Sequence, residues 1–164
     1  MYLLDTDIVF ELRNAKSGAT DTGLAAWAAG VQSATLFLSA ISLLELDAGA
    51  ARVERKDKAA GTALRQWLDN QVAPAFEGRI LAVDAAVVRR RAHIPLGSSR
   101  DALLAATALE HGLTLVTRDT AAFKASRVKL FNPWGYAPEA VEDEDWGQAT
   151  KSSSLWLRNI FVRG

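Results

Sequence analysis

The segment Asp101–Asp119, DALLAATALEHGLTLVTRD, decides the fold of this chain. Its first half is rich in alanine and leucine and predicts a helix, which Gly112 would end. The apolar run Leu113–Val116 then predicts a short buried strand. Asp101 therefore lies at the start of a helix, and Asp119 follows the end of a strand. Because sites in open α/β sheets form outside the carboxyl ends of the strands, both carboxylates are candidates for one site.

Two further acidic residues also lie in or next to apolar segments. Asp5 ends the apolar strand Tyr2–Leu4, and Glu45 lies within the apolar stretch Ile41–Leu46. Four carboxylates from separate segments predict one acidic pocket. Like charges in such a pocket repel one another and raise each other's pKa. A bound divalent metal would remove this repulsion. The hydroxyls of Thr6 and Thr117 could orient a metal-bound water. The candidate site residues are Asp5, Glu45, Asp101, Asp119 and Thr117, and the four acids are the candidate metal ligands.

Each of these residues also has a purely structural interpretation. Asp5 could form a turn or cap a helix, although Asp7 fits better as the cap of the helix that follows. Asp101 lies three residues after Ser98, which is a capping-box arrangement. Asp119 could begin a turn. Glu45 could be a surface charge, or pair with Ser42 in a capping box.

Strands alternate with helices along the chain, which predicts a mostly parallel sheet covered on both faces. The predicted strands are Tyr2–Leu4, Thr35–Ser39, Arg79–Val83, Leu113–Val116 and Val128–Phe131. The predicted helices are Asp7–Leu12, Gly23–Gln32, Ser42–Ala51, Lys56–Val72, Asp84–Ala92 and Arg100–Glu110. We expect one domain over residues 1–137. Residues 138–164 form an acidic and then apolar tail that looks appended.

The composition limits the classes of function. The 164 residues are enough for one domain with a sizeable core, and the absence of cysteine excludes disulfides and thiolate chemistry. Basic and acidic residues number 19 each, which argues against a broad electrostatic nucleic-acid binder. An enzyme with an acidic pocket and a basic rim would still give this balance. The basic candidates for such a rim, which could equally be solvated helix faces, are Arg52–Lys58, Arg89–Arg91 and Lys124–Lys129.

Other features of the sequence argue against a membrane protein, a secreted protein and a nucleotide-binding enzyme. No stretch approaches the ~20 apolar residues of a membrane span, and Asp5 and Asp7 interrupt the apolar start where a signal peptide would continue. We therefore expect a cytoplasmic protein that does not contact a membrane. No glycine-rich phosphate loop is present. His93 and His111 are not expected to be ligands, since His111 directly precedes the helix stop, where a cation suits the helix dipole.

These segments together resemble the PIN domain family, and most closely its VapC/FitB-like branch, the toxin ribonucleases of bacterial toxin–antitoxin pairs. The resemblance covers Met1 to Trp134, and Arg89–Arg91 is more basic than the family pattern. It rests on LDTDIVFEL at 4–12, SLLELDAG at 42–49, DALLAATA at 101–108 and LVTRD at 115–119, with FEGRIL at 76–81 and NPW at 132–134.

The resemblance implies a three-layer sandwich and Mg²⁺- or Mn²⁺-dependent cleavage of RNA. It places the family's acidic residues on Asp5, Glu45, Asp101 and Asp119, and the Thr or Ser before the last acid on Thr117. It also implies a cognate antitoxin, through which alone DNA would be contacted, and a homodimer. Trp27 and Trp67, on predicted helices, were further reason to expect an interface between two copies.

Two other interpretations remain open from the sequence. The chain could be a PIN-like binding module without activity, whose acidic pocket holds an arginine of a partner. It could also be a phosphatase or a flap-type nuclease acting on DNA, although it is short for the latter. In the toxin interpretation, the partner would deliver an arginine or lysine to the acids and bury apolar surface along Leu43–Leu46 or Gly23–Gln32.

Overall fold

The computed structural model of the chain describes residues 1–14 and 20–138, and a five-stranded parallel sheet forms its centre. The strand order is β3-β2-β1-β4-β5, so the first strand of the chain is the middle strand. All five predicted strands are confirmed, each at or within its predicted bounds. The predicted tail lies outside the described residues from position 139 onward. The strands are β1 Tyr2–Leu4, β2 Leu36–Ser39, β3 Ile80–Leu81, β4 Thr114–Val116 and β5 Leu130–Phe131.

Eight α-helical segments connect and flank the described strands, and the helix predicted over Lys56–Val72 is divided. It begins as an α-helix at Lys58, where the Asp57 carboxylate accepts the Ala60 amide. It becomes a π-helical turn over Leu68–Val72. Pro74 follows and has no amide hydrogen to continue the α-helical ladder. The segments are α1 Thr6–Arg13, α2 Thr22–Gly30, α3 Ala40–Glu54, α4 Lys58–Trp67, α5 Ala73–Ala75, α6 Ala85–Arg91, α7 Ser99–Glu110 and α8 Thr120–Phe123.

Successive strand residues point to opposite faces of the sheet and enter two separate cores. Leu4 and Val116 pack with side chains of α1 to α4 on one face. Leu3 and Leu115 pack with side chains of α6, α7 and α8 on the other. The three-layer sandwich is therefore confirmed. None of the helices in residues 1–14 and 20–138 is long and apolar enough to cross a membrane.

Both tryptophans that suggested a dimer interface lie inside the first core. Trp27 is 6% exposed and Trp67 is 5% exposed. Trp27 meets Tyr2 edge to face, and Trp67 stacks on Phe10. Their use as an indication of a dimer was therefore wrong, because their apolar surface is already buried within the chain.

Two of the glycines illustrate how the backbone excludes a side chain where elements end or meet. Gly112 has a φ of +63° and ends α7, as its position in the sequence predicts. Gly61 lies where α4 crosses α3, and a Cβ there would stand 2.3 Å from the Glu54 Cα. A side chain at position 61 would therefore force the two helices apart.

Candidate active site

The candidate site lies at the carboxyl ends of the two central strands. The sheet order reverses between β1 and β4, since the chain builds β2 and β3 to one side of β1 and β4 and β5 to the other. Asp5 directly follows β1 and Thr117 directly follows β4, and the Asp5 amide donates to the Val116 carbonyl at 3.0 Å. Such a switch point leaves a crevice outside the strand ends, which is where ligands bind in open α/β sheets.

Asp5 is a buried carboxylate held from several sides. Its Oδ1 accepts the Thr6 amide at 2.7 Å and so caps α1, and its Oδ2 accepts the Thr117 hydroxyl at 2.8 Å. The residue is 3% exposed, and this burial raises the pKa of Asp5 despite the Thr117 hydrogen bond and the nearby Arg100 charge. The prediction that Asp7 caps α1 was wrong, because Asp7 lies exposed in the first turn while Asp5 makes the cap.

Glu45 projects from α3 toward Asp5, and the Thr6 hydroxyl donates to its Oε2. The capping box predicted for Ser42 and Glu45 was wrong, because α3 begins one turn earlier. Ser39 is the cap, and its hydroxyl accepts the Ile41 amide at 3.2 Å. Ser42 lies within the helix and donates to the Leu4 carbonyl at 3.3 Å, which ties α3 to the end of β1. Glu45 is therefore free to face the site.

Asp101 enters the site from the first turn of α7. Ser98 caps this helix by accepting the Asp101 amide at 3.2 Å, which is one of the two hydrogen bonds of the predicted capping box. The Asp101 carboxylate pairs with Arg100, whose Nη1 lies 2.8 Å from its Oδ1. The same guanidinium places Nη2 2.8 Å from Asp5 Oδ1, and its Nε forms a close ion pair with Glu45 without the alignment of a hydrogen bond. One guanidinium thus joins the carboxylates of Asp5, Glu45 and Asp101.

Asp119 stands at the same edge of the sheet but does not join the carboxylates in this structure. It is exposed, and its Oδ1 accepts the Ala122 amide at 3.0 Å, so it caps α8. Its own amide donates to the Thr117 hydroxyl at 3.2 Å, which links it to Asp5 through one side chain. The structure therefore brings together three of the four predicted acids. Asp119 is connected to them through Thr117. His93 and His111 are exposed and form no part of this group.

Arg100 is the site residue that the sequence interpretation missed. The contact with Glu45 and the charges of Asp5 and Asp101 raise the pKa of Arg100, although its burial alone would lower that pKa. A signal for it was present, since an arginine in the first turn of a helix opposes the helix dipole. In the structure, Asp5 and Glu45, which lie outside this helix, hold the arginine there.

The donor set fits a divalent cation. Carboxylate oxygens are the ligands that Mg²⁺ and Mn²⁺ prefer. The buried Asp5 carboxylate, with its raised pKa, lacks full compensation of its charge. Within residues 1–14 and 20–138, no three acidic or histidine side chains are spaced to hold a metal, and the Arg100 guanidinium lies among the three carboxylates. The acids are therefore the right chemistry, arranged here around an arginine.

Comparisons with known proteins identify the family of this chain. The PIN domain family model matches residues 2–128, so the chain belongs to the PIN domain family. It is 33% identical over 142 residues to the VapC ribonuclease Y4jK of Sinorhizobium fredii, covering 82% of this chain and 98% of that protein. It is also 33% identical over 142 residues to the toxin FitB of Neisseria gonorrhoeae, covering 82% of this chain and 99% of that protein. The solved structure of FitAB bound to an IR36 DNA fragment matches with a TM-score of 0.74 and 31% identity, over 85% of this chain and 99% of that one.

Proposed function

We propose that this chain is a Mg²⁺- or Mn²⁺-dependent endoribonuclease and the toxin of a toxin–antitoxin pair. The observation that carries the proposal is the convergence of the Asp5, Glu45 and Asp101 carboxylates at the switch point of the sheet. The similarity to proteins named as a ribonuclease and as a toxin supports both parts of it.

The roles of the residues follow from how each is held. A divalent cation bound at the carboxylates would supply a nucleophilic water and offset the negative charge that develops on the phosphate. Asp5 is the rigid ligand, because the Thr6 amide and the Thr117 hydroxyl fix both of its oxygens. Asp101 is held at a helix start, and Glu45 is oriented by Thr6. Asp119 would act from the rim, where the Thr117 hydroxyl links its backbone to Asp5.

A basic residue beside the site suits a nucleic-acid substrate. Arg118 lies between Thr117 and Asp119, is exposed, and places its guanidinium carbon 5.4 Å from the centre of the Trp134 ring. An exposed guanidinium has N–H groups that can bind a phosphate. Because the chain has no net charge, affinity for RNA would come from such local contacts.

RNA cleavage tests the proposal. We expect purified protein to cleave RNA with Mg²⁺ and not with EDTA, and we expect Asp101→Asn to abolish cleavage while the protein stays folded. Asp47→Asn is the matched control, because Asp47 is an exposed acid on α3 that pairs with Arg65 outside the site. Cleavage by Asp101→Asn at the wild-type rate, or cleavage unaffected by EDTA, would contradict the proposed role of the acids.

A binding module without activity is the second candidate, and one observation favours it. The acid cluster accommodates a guanidinium with three carboxylate contacts, so it could equally hold an arginine of a partner. In that case the wild-type protein would bind its antitoxin but would not cleave RNA with either metal.

The antitoxin is expected to bury apolar surface beside the site. Leu44, next to Glu45 on α3, is 63% exposed and is the candidate contact. DNA would reach this chain only through the antitoxin, and the FitAB structure contains DNA. Leu44→Ser should weaken binding of an antitoxin co-purified from the native cell, while leaving RNA cleavage by the free toxin unchanged. Equal antitoxin binding by wild type and variant would remove Leu44 from the interface.

A homodimer is part of the proposal on the strength of the family resemblance. With Leu44 assigned to the antitoxin, exposed Val88 on α6 is the large apolar side chain left for such an interface among the described helices. Sedimentation at micromolar concentration should give twice the mass of the chain, and a single monomer species would contradict a stable dimer.

A further inference from the structure

We propose that Arg100 is a built-in competitor of the divalent cation, so that metal binds to the acid cluster only by displacing this side chain. The inference rests on the proposed function in one respect, since it takes the acids to be the cation site. It adds a residue that controls how readily the site is filled.

Arg100 lies among the carboxylates that would hold a cation. Its three contacts join Asp5, Glu45 and Asp101, which come from three separate elements. In the described residues no three acids are spaced to hold a metal, so these carboxylates would have to close around an ion in the space that the guanidinium now fills. The guanidinium and the ion would therefore compete for the same oxygens.

The charges explain why an arginine stands there. Three carboxylates so close would repel one another without a counterion. A guanidinium stays charged at every physiological pH, so it serves as a permanent counterion. One positive charge set against three negative charges is still an incomplete match, and a divalent cation would neutralise the cluster better.

The side chain is also free to leave. Arg100 is 36% exposed, whereas the Asp5 carboxylate beneath it is only 5% exposed. It stands at the first turn of α7, where the helix dipole disfavours a cation, so its contacts with the acids, and not the helix, hold it inward. A long side chain anchored at the rim can turn to solvent without movement of the backbone.

Competition of this kind has a measurable consequence. When the binding-competent state is only a fraction of the population, the apparent affinity for the ligand falls by that fraction. Removal of the arginine should therefore strengthen metal binding even though no metal ligand has changed. A purely supporting arginine would have the opposite effect, because its loss would disorder the carboxylates.

Calorimetric titration of the full chain with Mn²⁺ distinguishes the two roles. We expect Arg100→Gln to bind Mn²⁺ roughly 10-fold or more tightly than wild type, since it removes the competing state. Arg100→Lys should give a smaller gain, because an ammonium keeps the charge but loses the fork. Arg90→Gln is the matched control and should bind as wild type does, since Arg90 pairs with Glu110 at 2.6 Å outside the cluster.

A second measurement uses the unmodified protein. Addition of Mg²⁺ should shift the ¹⁵N side-chain resonance of Arg100 Nε and leave that of Arg90 in place. An unchanged Arg100 resonance at saturating Mg²⁺ would overturn the inference, as would Mn²⁺ binding by Arg100→Gln that equals or falls below wild type. Tighter Mn²⁺ binding without any RNA cleavage would support the inference and overturn the endoribonuclease proposal alone. Absence of metal binding in every variant would overturn both.

Discussion

Replacement of Thr117 by valine tests how the site holds its buried carboxylate. Thr117 is fully buried, donates to Asp5 Oδ2 at 2.8 Å and accepts the Asp119 amide at 3.2 Å. Valine keeps the shape and removes the hydroxyl. A hydrogen bond to a charged group contributes about 1.5–3 kcal/mol, and water can replace the bond to the exposed Asp119 amide. We therefore expect Thr117→Val to lower the free energy of unfolding by about 1.5–3 kcal/mol at neutral pH without metal.

The pH dependence of this loss identifies its cause. The Thr117 hydrogen bond favours the ionised form and lowers the pKa of Asp5, against the larger effect of burial, which raises it. Loss of the hydroxyl raises the pKa of Asp5 further, so the variant loses most stability where Asp5 is ionised. The difference from wild type should shrink as the pH falls and Asp5 becomes protonated.

Urea unfolding in EDTA at several pH values measures both effects. Thr107→Val is the matched control, because Thr107 is equally buried but donates to the Leu103 carbonyl within α7 at 2.8 Å. That carbonyl already accepts a helical amide, so the control should lose less than about 1 kcal/mol. Equal losses in the two variants, or a Thr117→Val loss that does not change with pH, would refute this reasoning.

Three further predictions concern the acids and the helix packing. Because burial raises the pKa of Asp5, the stability of the metal-free protein should fall as the pH rises through the titration of Asp5. Asp5→Asn should remove that fall in thermal melts. The same variant should abolish RNA cleavage. Glu45→Gln should slow cleavage more than Asp119→Asn in steady-state kinetics, since Asp119 is exposed and water can replace a rim ligand; the reverse order would place Asp119 in the site. Gly61→Ala should lose about 1–3 kcal/mol in urea unfolding, because its Cβ would overlap the Glu54 backbone. Gly30→Ala, with open space at its Cβ, should lose nothing.

The order of strands and helices could be predicted from the sequence because each strand contains a short apolar run and the longer helices lie between these runs. The limits of the strands could not be predicted as well. β5 spans only Leu130–Phe131, because its pairing with β4 determines which residues form the ladder. Val128 is apolar and buried but lies outside that pairing.

The acids at element ends could also be predicted, since Asp5 and Asp101 follow directly from where β1 ends and α7 begins. The start of α3 could not, because Ser39 and Ser42 both fit a local capping pattern. The choice depends on a long-range contact, the bond from Ser42 to the Leu4 carbonyl. The apolar faces that carry Trp27 and Trp67 likewise cannot show from sequence whether they meet the core or a second chain.

Arg100 shows the remaining gap between sequence and site. Its neighbour Asp101 is identified by position alone, but the partners of Arg100 are 95 and 55 residues away in the chain, at Asp5 and Glu45. Only the fold brings those charges together. An arginine at a helix start is unfavourable locally, and such local conflicts mark functional positions.

The claim that Asp5, Glu45 and Asp101 form a divalent-cation site is tested most directly by a crystal structure of the protein grown with Mn²⁺, using anomalous scattering to locate the metal. A single strong anomalous peak in contact with the Asp5 and Asp101 carboxylates, with the Arg100 side chain turned away from them, is the predicted result. Absence of a peak there at saturating Mn²⁺, with Arg100 still joining the three carboxylates, would contradict the claim.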